Sequence, residues 1–226
     1  MSASRTFVVP QGLDGERVDA ALARLLGLSR SKVADLAGAG HVQVDGLGGR
    51  HLQRLAGEAA GRDFPLSITA SLCFEQSYTA IDGDSATIVQ LCALISAIAG
   101  VPLRQDLAVT GSVNQFGDIQ PVGGISEKIE GFFSICERKG LTGTQGVIIP
   151  RRNLPNLILN DHIEEVVNAG RFHIFAVDSI DEALEVLAGK EAGEAGEDGA
   201  FPEDSLNGMV YRELKNMAEI IHDYET

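Results

Sequence analysis

Cysteine is scarce in this 226-residue chain, with only Cys73, Cys92 and Cys136 present and no CxxC spacing. A disulfide framework and a thiolate metal centre are therefore excluded, and three buried free thiols in a reducing compartment are expected. A cysteine nucleophile is also disfavoured, because no histidine lies near any of the three in a recognisable arrangement. The five histidines (His41, His51, His162, His173 and His222) have no metal-ligand spacing, which argues against a zinc hydrolase. No run of about 18 apolar residues occurs, so no membrane-spanning helix is expected. The start, Met1-Ser2-Ala3-Ser4-Arg5, has no apolar core of a secretory signal. No GxxxxGK[ST] box occurs either, so the chain is not expected to bind ATP itself.

Positive charge is the other shortage. The net charge is −14, and it is unevenly placed. Residues 1–62 hold eight Lys or Arg against six Asp or Glu, whereas residues 63–226 hold ten against twenty-six. The larger part is thus a poor nucleic-acid binder. Apolar residues make up 44% of the chain, enough for a sizeable core in one domain plus a small appendage.

Two stretches carry candidate chemistry. In the first, a strand-like run from Leu66 to Phe74 leads into Asp82-Gly83-Asp84-Ser85-Ala86-Thr87, and an apolar run from Ile88 to Ala99 follows, ending at Gly100. Strand, tight loop and helix in that order put the Ser85 hydroxyl near a helix N-terminus. Free N–H groups there favour negative charge and can stabilise an oxyanion. The alternative is that Ser85 or Asp84 is an ordinary N-cap. The second stretch runs from Thr110 to Lys128, with a turn at Asn114 to Gly117 between alternating runs. This predicts a hairpin feeding a helix whose inward residues are Ile125, Ile129, Phe132 and Cys136. Lys128 falls in the first turn, where the dipole opposes its charge and burial would lower its pKa. A neutral lysine can serve a serine as general base. The alternative is a solvated Lys128 paired with Glu127 or Glu130.

The Asp82-Gly83-x-Ser85-Ala86 box, the Thr110-Gly111 segment read as strand, and the box Pro121-x-Gly123-Gly124-x-x-x-Lys128 together resemble the proteolytic domain of Lon proteases. Ser85 and Lys128 lie 43 residues apart, as in the Lon serine–lysine dyad. The wording around Phe74-Glu75-Gln76-Ser77-Tyr78 and Val109 to Gln115 is most similar to a bacterial Lon-like branch related to the LonB type. The resemblance covers residues from about Arg62 onward. Asp84 stands where many members have Pro, Thr87 where they have Gly, and Ser126 where they often have Lys or Asn.

The resemblance implies an α/β (α+β) fold and serine endopeptidase activity on unfolded or damaged proteins. Ser85 would be the nucleophile and Lys128 the base. Thr110 would orient the Lys128 amine, Asp82 would shape the loop, and backbone N–H groups around Asp84 and Ser85 would form the oxyanion hole. It implies a cytoplasmic hexameric ring, normally coupled to an AAA+ ATPase that either lies on another chain or is missing, this then being an ATP-independent or truncated relative. No cofactor or metal is expected in this chain, ATP entering only through that ATPase.

Residues 4–46 are a different object. Two short helical patterns, the second opening Ser29-Arg30-Ser31-Lys32, precede Val42-x-Val44-Asp45-Gly46. This is similar to the small N-terminal RNA-binding domain of bacterial large-subunit pseudouridine synthases. The resemblance implies weak, salt-dependent phosphate contacts by Arg24, Arg30 and Lys32. The synthase's catalytic domain is absent. The expected organisation is an RNA-binding-like segment at 1–46, a junction at 47–61, the proteolytic domain at 62–188, a flexible acidic linker at 189–204 and a helix at 205–226. The junction occupies the place of upstream strands that Lon domains normally carry, so the domain is expected to lack its first strands. Two further readings stay open: a non-enzymatic RNA-binding module, and an inactive Lon-domain remnant.

Residues 1–46 hold too few apolar residues for a stable core of their own. Deleting them should leave the melting temperature nearly unchanged. A large drop on deletion would show that the stretch is part of the protease fold.

Overall fold

The computed structural model divides into two compact units, Met1–Asp45 and Gly46–Thr226. It describes residues 83–225 except 115 and 198, all in the second unit. The strand at Leu66, the junction, Asp82, Cys73 and the whole RNA-binding-like segment, with Arg24, Arg30 and Lys32, lie outside the described residues.

The described residues form, in order, α1 (Thr87–Ala99), β1 (Leu107–Val109), β2 (Ser112–Val113), β3 (Ile119–Gln120), α2 (Ile125–Lys139) and β4 (Gly146–Pro150). A 3-10 turn (Arg151–Asn156), α3 (Asp161–Asn168), β5 (His173–Val177), α4 (Ile180–Ala188) and α5 (Leu206–Glu225) follow. Three strands make a parallel sheet in the order β1-β4-β5. Strands β2 and β3 form a separate antiparallel hairpin.

Strand β4 reads Gly-Val-Ile-Ile-Pro and all five of its residues are buried. That is the pattern of a parallel strand covered on both faces. The pleat then sorts its side chains. Ile148 joins Leu107, Val109 and Val177 in a core beneath α1, α4 and α5. Val147 and Ile149 join Ala108, Ile174 and Ala176 on the opposite face, beneath α2 and α3. The result is a three-layer α/β/α arrangement. Gly146 has no side chain for a packing reason, since a Cβ there would sit 2.5 Å from the His173 carbonyl oxygen on β5.

Helix α1 buries Ile88, Leu91, Cys92, Ile95 and Ile98, and Gly100 ends it in the left-handed conformation at φ 66°. Helix α5 lies against α1. It buries Leu206, Val210, Leu214 and Ala218, every fourth residue along one stripe. Each of the three larger side chains contributes about 1.5–3 kcal/mol by burial. The helix docks on its own protomer.

On α2 the buried face is Ile125, Ile129, Phe133 and Cys136. Phe133 takes the inner place expected of Phe132, because it meets Phe172 edge-on at 5.2 Å while Phe132 packs at the margin at 6.3 Å. Ser179 caps α4 as its Ser-x-x-Glu pattern predicts, accepting from the Glu182 amide. The described residues of the stretch 189–204 carry no helix or strand. Its beginning is nonetheless tied down, not free: Leu206 and Asn207 amides donate to the Glu191 and Ala192 carbonyls, and Ala192 is buried.

Neither Ser85 nor Asp84 caps α1. The N-cap is Ala86, without a side-chain hydrogen bond. The Asp84 carboxylate instead accepts from Ser112 Oγ at 3.0 Å. Nor does Thr110-Gly111 continue as strand; it is the break between β1 and β2, because its polar groups turn partly toward the Ser85 loop.

Arg104 and Asp106 lock the entry to β1. The guanidinium donates Nε to Oδ1 at 3.0 Å and Nη2 to Oδ2 at 2.8 Å, and reaches the Thr144 carbonyl at 2.7 Å. These bonds from Arg104 hold the Asp106 carboxyl down to about 2. An unfolded aspartate titrates near pH 4, roughly. The pair therefore stabilises the fold fully above about pH 4 and loses that effect as the pH falls toward 2. Asp106→Asn should lower the melting temperature modestly at pH 7, since the pair is part-exposed. The gap to the parent should close between about pH 4 and about pH 2 in thermal scans.

Candidate active site

The loop before α1 is held by the segment 110–113. The Ser85 carbonyl accepts from the Gly111 amide at 2.8 Å and from the Thr110 hydroxyl at 3.3 Å. In return the Ile88 amide donates to the Gly111 carbonyl at 3.4 Å. On either side of Ser85, Asp84 accepts from Ser112 and the Thr87 hydroxyl accepts from the Val113 amide at 3.0 Å. The Thr110 amide bonds the Ile148 carbonyl at 3.1 Å, so this segment is itself anchored on the sheet.

Lys128 arrives from the other side. Gly124 opens α2 in the left-handed conformation at φ 64°, which a residue with a Cβ adopts only with strain. The Lys128 amide makes an early helical bond, to the Gly124 carbonyl. Upstream, the buried Asn153 amide grips Val122 twice, donating Nδ2 to its carbonyl at 2.8 Å and accepting its N–H at 3.0 Å. That clamp fixes the Pro121–Gly124 turn from which α2 starts. Nothing in the sequence marked Asn153 beyond its amide side chain.

Lys128 Nζ donates to Thr110 Oγ1 at 3.3 Å, and Thr110 Oγ1 donates to the Ser85 carbonyl. A chain of hydrogen bonds thus runs from the amine through Thr110 to the Ser85 backbone, with no direct bond between the Ser85 hydroxyl and the amine. The pairing with Glu127 or Glu130 is not formed. Lys128 is exposed, which corrects the expectation of a buried lysine. Helical periodicity gives the inner stripe to Ile125 and Ile129, and Lys128 falls beside it at the surface.

Ser85, Thr110 and Lys128 share the lining of one cavity of about 250 Å³. Ala86, Ala108, Val109, Ile129 and Val147 make its remaining wall, which is apolar. Neither described cysteine reaches it. Burial pushes the Cys92 thiol up to about 12, and Cys136 is likewise raised by burial. Both are free and point into the core. No group of three His, Cys, Asp or Glu able to hold a metal occurs among the described residues.

The family model of the Lon protease (S16) C-terminal proteolytic domain matches residues 73–189, just over half of the chain. The chain belongs to the Lon proteolytic-domain family. A Lon protease homolog of Haemophilus influenzae is 46% identical over 154 residues, which is 68% of this chain and 26% of that protein. One of Escherichia coli is 56% identical over 122 residues, 54% of this chain and 21% of that protein. An archaeal Lon protease of Pyrococcus abyssi is 39% identical over 113 residues, half of this chain and a tenth of its own length. The chain thus spans about a quarter or less of the relatives it matches. The described part of the matched Lon region, from residue 83 on, contains the cavity and all three of its polar residues. No helix among the described residues is long and apolar enough to cross a membrane.

The Asn153 clamp holds the turn that leads into α2. Asn153→Ala would leave the Val122 amide and carbonyl without partners. It should cost about 1–3 kcal/mol of stability, measured by urea unfolding; an unchanged midpoint would show that the turn holds itself.

Proposed function

We propose that this chain is a serine endopeptidase of the Lon type, acting on unfolded or damaged proteins through Ser85 and Lys128. The observation that carries the reading is the shared cavity, in which a serine before a helix N-terminus and a lysine from a second helix converge on Thr110.

The chemistry follows from those groups. A peptide carbonyl beside Ser85 is attacked by the Ser85 oxygen as its proton passes to the Lys128 amine. The negative oxygen that forms is stabilised by backbone N–H groups of Asp84 and Ser85 near the start of α1. Lys128 returns the proton to the departing amine, leaving an ester on Ser85. Water then attacks that ester, Lys128 taking its proton and giving it back to Ser85 Oγ. Thr110 holds the amine in place for both halves. Apo active-site hydrogen bonds are often longer than those of the substrate complex, so the indirect link through Thr110 fits this role. A substrate filling the cavity also removes water from around the exposed amine.

The wider setting belongs to the same proposal. The chain works in the cytoplasm within a hexameric ring, with unfolding supplied by an AAA+ ATPase outside this sequence. Family membership and the partial coverage of its relatives support that reading.

Ser85→Ala and Lys128→Ala should each abolish digestion of fluorescently labelled casein while keeping the circular dichroism spectrum. Dyad members act as a unit, so the double variant should lose no more than either single one. Casein cleavage by Ser85→Ala at the parent rate would rule the serine out.

A further inference from the structure

Two side chains outside the proposed dyad bracket the Ser85 loop. Thr87 is the first residue of α1, and its hydroxyl oxygen accepts the Val113 amide at 3.0 Å. Ser112 is buried, and its hydroxyl donates to Asp84 Oδ2 at 3.0 Å. Ser85 lies between the two anchored residues, and its own carbonyl is bonded to Gly111 and Thr110. Only the outer two of these links run through a side chain of the loop, so only they depend on which residues stand at 84 and 87.

We propose that Thr87 and Ser112 are positioning residues for Ser85, forming a two-point clamp that holds the serine loop on strand β2. The inference rests on Ser85 being the nucleophile. Strand β2 is only two residues long, Ser112–Val113, and pairs with β3 on one side. Its Val113 amide turns away from that partner to the Thr87 side chain, and Val113 itself is buried. A buried amide keeps such a partner firmly, because losing it leaves the donor unsatisfied. The strand thus fixes the rotation of the first turn of α1 through Thr87 and the loop before it through Asp84. Ser85 Oγ, carried between them, is held in one place relative to Thr110 and the Lys128 amine. Misplacing a reacting group by about 1 Å can cost roughly a hundredfold in rate.

The clamp acts on the chemical step and not on substrate contact, since neither Thr87 nor Ser112 lines the cavity. In the full chain, Thr87→Val keeps the shape of the side chain but removes the acceptor. Thr87→Val and Ser112→Ala should each lower kcat on a fluorogenic peptide by about 10-fold to 100-fold, with KM nearly unchanged. The rate at which a fluorophosphonate probe modifies Ser85, fluoride leaving as Ser85 Oγ bonds phosphorus, should fall in parallel. Thr87→Ser, which restores the acceptor, should recover both rates. Hydrogen exchange at the Val113 amide should quicken in Thr87→Val and return to the parent rate in Thr87→Ser. The proposal is overturned if Thr87→Val keeps the parent kcat and probe rate while Ser85→Ala loses both. It is equally overturned if Thr87→Ser fails to recover what Thr87→Val loses, because the hydroxyl is then not the cause. Retention of activity by Ser85→Ala would instead remove the Ser85–Lys128 reading itself.

Discussion

The Ser85 carbonyl holds the candidate site together. It accepts two hydrogen bonds, one from the Gly111 amide and one from the Thr110 hydroxyl, at the point where β1 ends and β2 has not begun. Those two residues would otherwise extend the strand. By turning toward the loop they attach the start of α1, and with it the serine, to the end of β1. Thr110 uses its backbone on Ile148 of β4 and its side chain on both Ser85 and Lys128. One threonine therefore ties the sheet to both helices that bring chemistry to the cavity.

The rigidity behind that arrangement comes from β4. A strand buried along its whole length divides its side chains between two cores, one under α1, α4 and α5 and the other under α2 and α3. Ser85 stands before α1 and Lys128 within α2, so the two belong to helices packed with opposite cores. Their meeting point depends on both layers at once. Close packing makes that geometry stiff, because a shift of either helix opens voids in its core. Asn153 and the left-handed Gly124 serve the same end on the α2 side, fixing the turn that sets where the lysine emerges.

Lys128 shows the limit of local reasoning. Its place in the first turn of an apolar-faced helix suggested a buried amine, yet it lies exposed. Helical periodicity assigns the inner stripe to Ile125 and Ile129 and leaves Lys128 at the rim. Phe132 and Phe133 make the same point. Both sit near the inner edge of the helix, and Phe172, forty residues away, decides which is fully enclosed.

The sequence alone brought out α1, the turn at Asn114 to Gly117 and α2, because each carries its own periodicity or stop signals. Gly100 ends α1 and Ser179 opens α4 by local backbone chemistry that needs no distant partner. It also brought Ser85, Thr110 and Lys128 forward as a group, through their boxes and spacing. Only the tertiary structure decided that Asp84 binds Ser112 and not a helix end, that Thr87 holds Val113, and that Asn153 clamps Val122. Those bonds join residues 26 to 31 positions apart. A polar side chain seeks the nearest unsatisfied group in space, and chain order does not say which group that will be.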